Sequence, residues 1–269
     1  MIISETGLQV KNKRLEDIIK STGRFALAFS GGVDSSYLLF EAIRVLGPEN
    51  VLAVTVSSAL HPETETTEAS LIAGQLGADH LVLALDLLAV AEVAVNSADR
   101  CYYCKKAIFI KLIEAAGKAG FAAMVDGTNA DDATGHRPGL RALKEMGVRS
   151  PLQEAALGKA EIRHLAKEAA LPIWNRPAAP CLATRFPVGT KITEQALKKV
   201  ATAEAVLREL QVEGDIRVRM HGDLLRIETE PASPVWLLEQ RVVIISRLKK
   251  IGFKYVTLDL EGYRMGSMD

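Results

Sequence analysis

Four strand-length apolar runs punctuate the first two-thirds of the chain: Phe25–Phe29, Val51–Val56, Asp79–Leu85 and Ala122–Asp126. The first two lack polar alternation, the signature of strands covered on both faces. A stretch of helical length, Leu8–Thr22, precedes the first run; Ser35–Leu46, Pro62–Leu76 and Cys104–Ala119 lie between the runs, and Lys159–Ala169 follows the last. Strand and helix alternate, so the pattern predicts an α/β domain with a doubly wound parallel sheet over residues 1–187. Ligands in such sheets bind beyond the carboxyl ends of the strands, where the strand order switches. Ser30, Ser57 and Asp126-Gly127-Thr128-Asn129 each follow a predicted strand, so they are expected to line one crevice.

The pattern changes after Pro187. Thr193–Leu210 reads as a long helix, and Asp215–Met220 and Leu225–Thr229 alternate apolar with polar residues around a His221-Gly222-Asp223 turn. A helix over Pro234–Lys249 and a last strand over Tyr255–Leu260 complete a small α+β unit, residues 188–269. The alternation predicts a sheet with one apolar and one solvated face.

Composition narrows the partners. Lys plus Arg and Asp plus Glu number 33 each, so the net charge of zero argues against a broad basic nucleic-acid surface. The apolar window Leu81–Val95 is broken by Asp86 and Glu92, and no membrane span is expected. Met1–Glu5 does not open with a basic stretch leading into an apolar one, so no secretory signal is expected. Three cysteines in such a chain point to a reducing cytoplasm and to thiol or metal chemistry, not to disulfides. The five histidines show no ligand spacing.

The most specific motif is Ser30-Gly31-Gly32-Val33-Asp34-Ser35, set between a buried strand and a helix. Such a turn directs backbone N–H groups and the positive helix end at one point, which suits phosphate. Two glycines let an oxyanion approach without a Cβ in the way. The hydroxyls of Ser30, Ser35 and Ser36 add donors, and Asp34 is placed to meet a magnesium ion. The run lacks the Gly-Lys-Ser/Thr ending of a Walker A loop. It resembles the PP-loop of the ATP pyrophosphatase superfamily, whose members cleave ATP between its α- and β-phosphates and attach AMP to a substrate oxygen.

Three further groups carry chemistry. The loop Asp126–Asp132 suits ribose, metal or an activated substrate, though a merely solvated loop reads the same way. With His136-Arg137-Pro138-Gly139 and Arg149-Ser150-Pro151-Leu152 it resembles the second half of PP-loop domains. Cys101-Tyr102-Tyr103-Cys104 lies at a predicted helix start, and Cys181 sits in the proline-flanked loop 180–187. Three thiolates suit a [4Fe–4S] cluster with one open iron, or zinc with an open or nitrogen position; a redox pair and small core residues are the weaker readings. Arg217, Arg219 and Arg226 sit at alternating positions and so share a face within each strand, while Arg264 lies near the end. A guanidinium face suits phosphate or carboxylate, although a solvated face balanced by Glu228 and Glu230 explains the strand pattern better.

In order, Ser30–Ser35, Arg100–Lys105, Asp126–Asp131, Pro180–Arg185, Arg217-Val218-Arg219 and Gly262-Tyr263-Arg264-Met265-Gly266 resemble the ATP-dependent sulfur transferases that build the nickel-pincer nucleotide cofactor of lactate racemase. The resemblance spans nearly the whole chain. It implies a pyridinium dicarboxylate mononucleotide substrate, adenylation of a carboxylate by ATP with Mg²⁺, and displacement of AMP by sulfur. It implies that Ser30, Gly31, Gly32, Val33, Asp34, Ser35, Ser36, Asp126, Gly127 and Thr128 hold the nucleotide, and that Arg185, Arg217, Arg219 and Arg264 hold the substrate. Cys181 matches the cysteine that donates its own sulfur in one branch. Cys101 and Cys104 depart from that branch and favour the other, in which the three cysteines hold a [4Fe–4S] cluster that delivers sulfide from a donor still unknown. The resemblance also implies a homo-oligomer, a hexamer built through the C-terminal unit.

Three other readings compete. A tRNA thiolase would carry zinc-binding cysteine pairs or an added RNA-binding domain, and zero net charge with 5% aromatics fits RNA poorly. An ammonia-using amide synthase needs no cysteines. A nucleotide-binding regulatory module would leave Asp34 and the cysteines idle.

Overall fold

A computed structural model describes residues 5–133, 138–177, 180–210, 212, 214, 216–230, 234–264 and 267–268. His136, Arg137, Asp215, Met265 and Gly266 lie outside them. Among the described residues, no helix is long and apolar enough to cross a membrane. Contacts divide the chain into two compact units. The first comprises 1–58, 63–85 and 101–179; the second comprises 59–62, 86–100 and 180–269.

The first unit is built on four parallel strands: β1 (Phe25–Ala28), β2 (Val51–Ser57), β3 (Asp79–Ala84) and β4 (Ala123–Asp126), in the order β3-β2-β1-β4. Alternate side chains of β1, β2 and β4 enter opposite cores, whereas the edge strand β3 adds Leu81 and Leu83 to one core and leaves Val82 exposed on its other face. Phe25, Leu27, Val51, Ala53 and Val125 pack on one face with the helices Glu5–Thr22 and Val33–Leu46. Ala26, Leu52, Val54 and Met124 pack on the other with Phe109, Leu112 and Ala116 of the helix Arg100–Lys118. Both faces are therefore covered, which explains why β1 and β2 read as unbroken apolar runs. The order runs outward from β1 to β3 and then returns to the far side of β1 for β4. The switch point lies between β1 and β4, and their carboxyl ends carry the Ser30 and Asp126 loops.

In the second unit β5 (Ile216–His221) and β6 (Leu224–Thr229) form an antiparallel hairpin around Gly222-Asp223, and β7 (Tyr255–Leu258) adds parallel to β6. Helix Glu194–Glu209 contacts β5, and the Thr193 hydroxyl accepts from Ala196 N at its start. The single helix expected over 234–249 is two, Pro234–Glu239 and Arg241–Ile251. Gln240 keeps helical hydrogen bonds to both sides, so the break is a bend. The expected solvated sheet face is also corrected. Arg217, Arg219 and Glu228 are 6%, 4% and 0% exposed: Arg219 pairs with Glu228 across the hairpin and donates to Thr184 O, and Arg217 lies over the Tyr263 ring.

Candidate active site

The turn after β1 is held by its own serines. Ser30 Oγ lies 3.1 Å from Ser35 Oγ and accepts from Gly32 N at 3.3 Å, while Ser35 Oγ donates to Gly32 O at 3.2 Å. Gly31 has φ +70°, and a Cβ there would lie 3.0 Å from Ala69 Cα. Left-handed backbone and a close helix both demand glycine. Gly31→Ala should cost about 1–3 kcal/mol in urea unfolding, and Gly32→Ala, at φ −74°, clearly less. Gly32 is the N-cap of Val33–Leu46, whose first turn holds Asp34. Val33 and Ser35 are buried; Ser36 is fully buried, so its hydroxyl faces the packed interior.

Asp34 stands at the centre. Its Oδ2 accepts from Asn129 Nδ2 at 3.0 Å, and its Oδ1 is buried without a hydrogen-bond partner. Burial pushes its carboxyl above the ordinary carboxylate value, against the Asn129 hydrogen bond and the charges of Lys159 and Arg163. A buried carboxylate oxygen with no partner is a place a cation completes. Gly127 approaches the same helix so closely that a Cβ would lie 3.0 Å from Ser35 N. The β1 and β4 loops therefore do meet at the switch point, whereas Ser57 ends β2 on the other side of β1.

Asp126 is occupied by the fold. It accepts from Ser150 Oγ at 2.6 Å and from Thr128 Oγ1 at 2.5 Å. Asp131 accepts from Lys159 N at 2.7 Å, anchoring the next helix, Lys159–Glu168. Arg149, whose backbone bridges β4 at Val125, pairs with Glu154. Arg176 Nη1 donates to Gly31 O at 3.2 Å and pairs with Glu68, while Arg163 Nη2 holds Arg176 O at 2.7 Å. Sequence reading passed over Lys159, Arg163 and Arg176, which lie in no motif and reach the turn only through folding.

Helix Arg100–Lys118 starts a turn earlier than expected, so Cys101 and Cys104 both lie inside it, three positions apart on one face. Cys101 is exposed and Cys104 half-buried. In the second unit Cys181 caps a short turn, its Sγ accepting from Ala183 N at 3.4 Å. Asn96 Nδ2 staples that loop by donating to Phe186 O and Pro187 O, and Arg100 donates to Asn96 and to Ala183 O. Among the described residues, no three His, Cys, Asp or Glu side chains form a group that could hold a metal ion.

The arginines of the second unit are not equivalent. Arg185, 3% exposed, forks onto Glu204 at 2.7 and 3.1 Å. Arg219 pairs with Glu228 at 2.7 Å and donates to Thr184 O at 2.8 Å. Arg217 donates to Ile216 O at 2.8 Å and stands 5.1 Å over the Tyr263 ring. Arg264 is exposed and pairs with Glu261. Arg185 is therefore engaged by scaffold. Glu204 was missed, although a glutamate within the buried stripe Leu197, Val200, Ala203 and Leu207 is a readable signal. Glu204→Gln should destabilise by about 3–5 kcal/mol in urea unfolding, since it leaves the buried Arg185 charge uncompensated.

A family model described as asparagine synthase matches residues 14–243. The chain is 39% identical, over 97% of its length and 95% of the relative's, to the pyridinium-3,5-bisthiocarboxylic acid mononucleotide synthase of Lactiplantibacillus plantarum. It is 37% identical to an uncharacterized Synechocystis protein, over 97% of this chain and 98% of that one. It is 33% identical to an uncharacterized protein of Methanocaldococcus jannaschii, over 98% and 99%.

Proposed function

The chain belongs to the asparagine synthase family of ATP-using PP-loop proteins, alongside the pyridinium-3,5-bisthiocarboxylic acid mononucleotide synthase, and from that premise we propose that it converts carboxylates of a pyridinium-3,5-dicarboxylate mononucleotide to thiocarboxylates. The reaction has two steps. The substrate carboxylate attacks the α-phosphorus of ATP, pyrophosphate leaves, and an acyl adenylate forms. A sulfur nucleophile then adds to the acyl carbon, and AMP departs with the electrons of the acyl C–O bond.

One observation carries the first step: the buried, unpartnered Oδ1 of Asp34 at the switch point. That oxygen fits Mg²⁺, which when bound offsets charge on the leaving pyrophosphate. Gly31, Gly32, Ser30 and Ser35 shape the turn that receives the phosphates. Gly127 and Thr128 close it from the β4 side, and Asp126 acts by holding Thr128. In the second unit Arg217, Arg219 and Arg264 are assigned to the mononucleotide phosphate and spare carboxylate, with Arg264 the most exposed. Arg185 supports them by fixing the Cys181 loop through Thr184 and Pro180.

For the sulfur, three cysteines in this family's motifs suit a cluster, although no three donors among the described residues form a metal-holding group, so the cluster is this reading's proposal and rests on the sequence. Cys101 and Cys104 share a helical face one turn apart, as two thiolate ligands require, and Cys181 is the third. A [4Fe–4S] cluster so held would supply sulfide at its open iron. We assign the assembled protein a hexameric state through its C-terminal unit, checked by its mass in solution. The function is tested anaerobically with ATP, Mg²⁺, the dicarboxylate mononucleotide and sulfide. Pyrophosphate, AMP and a mass gain of one oxygen-to-sulfur exchange per carboxyl are expected. Turnover that requires tRNA or ammonia in place of the mononucleotide and sulfide overturns the reading.

A further inference from the structure

Lys105 was assigned nothing by motif, yet its position is unusual. The stripe of helix Arg100–Lys118 that packs on the sheet is Phe109, Leu112 and Ala116. Continued one turn toward the helix start, that stripe becomes Lys105, and then Cys101. The apolar face thus ends in a cation and a thiol. Lys105 Nζ lies 3.8 Å from Asp126 Oδ2 at the carboxyl end of β4. That separation is an ion pair too long for a hydrogen bond. Asp126 has no need of it, because Ser150 and Thr128 already donate to both its oxygens. Gly139 packs against the Lys105 stem, where a Cβ would lie 3.2 Å from Cγ, and the Phe109 ring lies 5.2 Å from Nζ. The stem is therefore fixed while the side chain keeps 40% exposure.

A positioned ammonium beside the switch-point crevice, with its donors unspent on the neighbouring carboxylate, is an anion site. Its place on the cysteine-bearing face selects which anion. We infer that Lys105 binds the phosphate of the adenylyl group and neutralises AMP as the leaving group when sulfur attacks. This rests on the proposed adenylation. In that step the S–C bond forms, the acyl C–O bond breaks, and the negative charge that develops on the AMP phosphate meets the Lys105 ammonium. Lys105 thereby joins two elements that sequence reading kept apart, the Cys-x-x-Cys helix and the Asp126 loop.

The test is AMP binding by calorimetry to the full chain, for wild type, Lys105→Gln and Lys105→Arg. Loss of one charge-assisted contact predicts AMP affinity about 10- to 100-fold weaker in Lys105→Gln, adenosine affinity unchanged, and substantial recovery in Lys105→Arg. Differential labelling of wild-type lysines provides the check that needs no variant: AMP should protect Lys105 from an amine-reactive reagent and adenosine should not. Wild-type binding of AMP with equal affinity in Lys105→Gln, or unprotected Lys105, overturns the inference while leaving the function standing. Absence of AMP and ATP binding by wild type overturns the function itself.

Discussion

Replacing Asp34 by Asn should lower ATP-dependent pyrophosphate release by about a thousandfold, the several kcal/mol that a bound cation contributes to a developing phosphate charge, and should leave the protein at least as stable. The two outcomes have one cause. The Oδ1 of Asp34 is buried without a donor and its carboxyl is pushed upward, chiefly by burial. A folded-state pKa raised above the unfolded value means that the native state holds the proton longer. Stability is then highest below the unfolded value, falls as pH rises through the window up to the raised folded value, and stays lower above it. At neutral pH the cation-free protein therefore carries an unfavourable charge that the Asn variant lacks. The Asn129 hydrogen bond to the Oδ2 position can survive in the variant. Thermal unfolding without Mg²⁺ should place the variant at or above wild type, and Mg²⁺ with ATP should raise only the wild-type midpoint. A variant that releases pyrophosphate normally removes Asp34 from the chemistry.

The same residue illustrates what a sequence states openly. Phe25–Ala28, the Gly31-Gly32 turn and the helix after it are local, and each part has its own signature: an unbroken apolar strand, a left-handed glycine, an acid in the first helical turn. The parallel sheet was legible for that reason. Pairings between distant segments were not. Arg185 reads as a substrate ligand because its partner, Glu204, lies on another helix. Arg219 and Glu228 read as a solvated face, because alternation reports the pleat but not what covers it. The segments 59–62 and 86–100 join the second unit through bonds such as Leu182 N to Leu60 O and Asn96 to Pro187, which leave no periodic trace. Asp126 marks the limit of motif reading. It ends a strand in the expected crevice, but its oxygens are taken by Ser150 and Thr128. Among the described residues Lys105 reaches Asp126 at 3.8 Å, too far to spend a donor on it, and motif reading had it only as the residue after a cysteine.

Serine at Cys101, Cys104 or Cys181 should each abolish thiocarboxylate formation and remove iron from anaerobically purified protein, while pyrophosphate release continues. In the proposed reaction adenylation uses the turn around Asp34, and none of the three thiols is assigned a part in it. The two sulfur routes differ in stoichiometry and in which residues they need. A sacrificial cysteine gives one sulfur per chain, leaves dehydroalanine, and requires Cys181 alone. A cluster requires three thiolates and turns over as long as sulfide is supplied. Cys101 is exposed on a helix, where a serine substitution perturbs stability by only about 0.5 kcal/mol. Loss of iron in that variant therefore reports lost ligation, with unchanged thermal unfolding as the control. Iron-free wild type that forms one thiocarboxylate per chain, loses mass at Cys181 and is indifferent to serine at Cys101 and Cys104 would sink the cluster and leave the adenylating sulfur transferase intact.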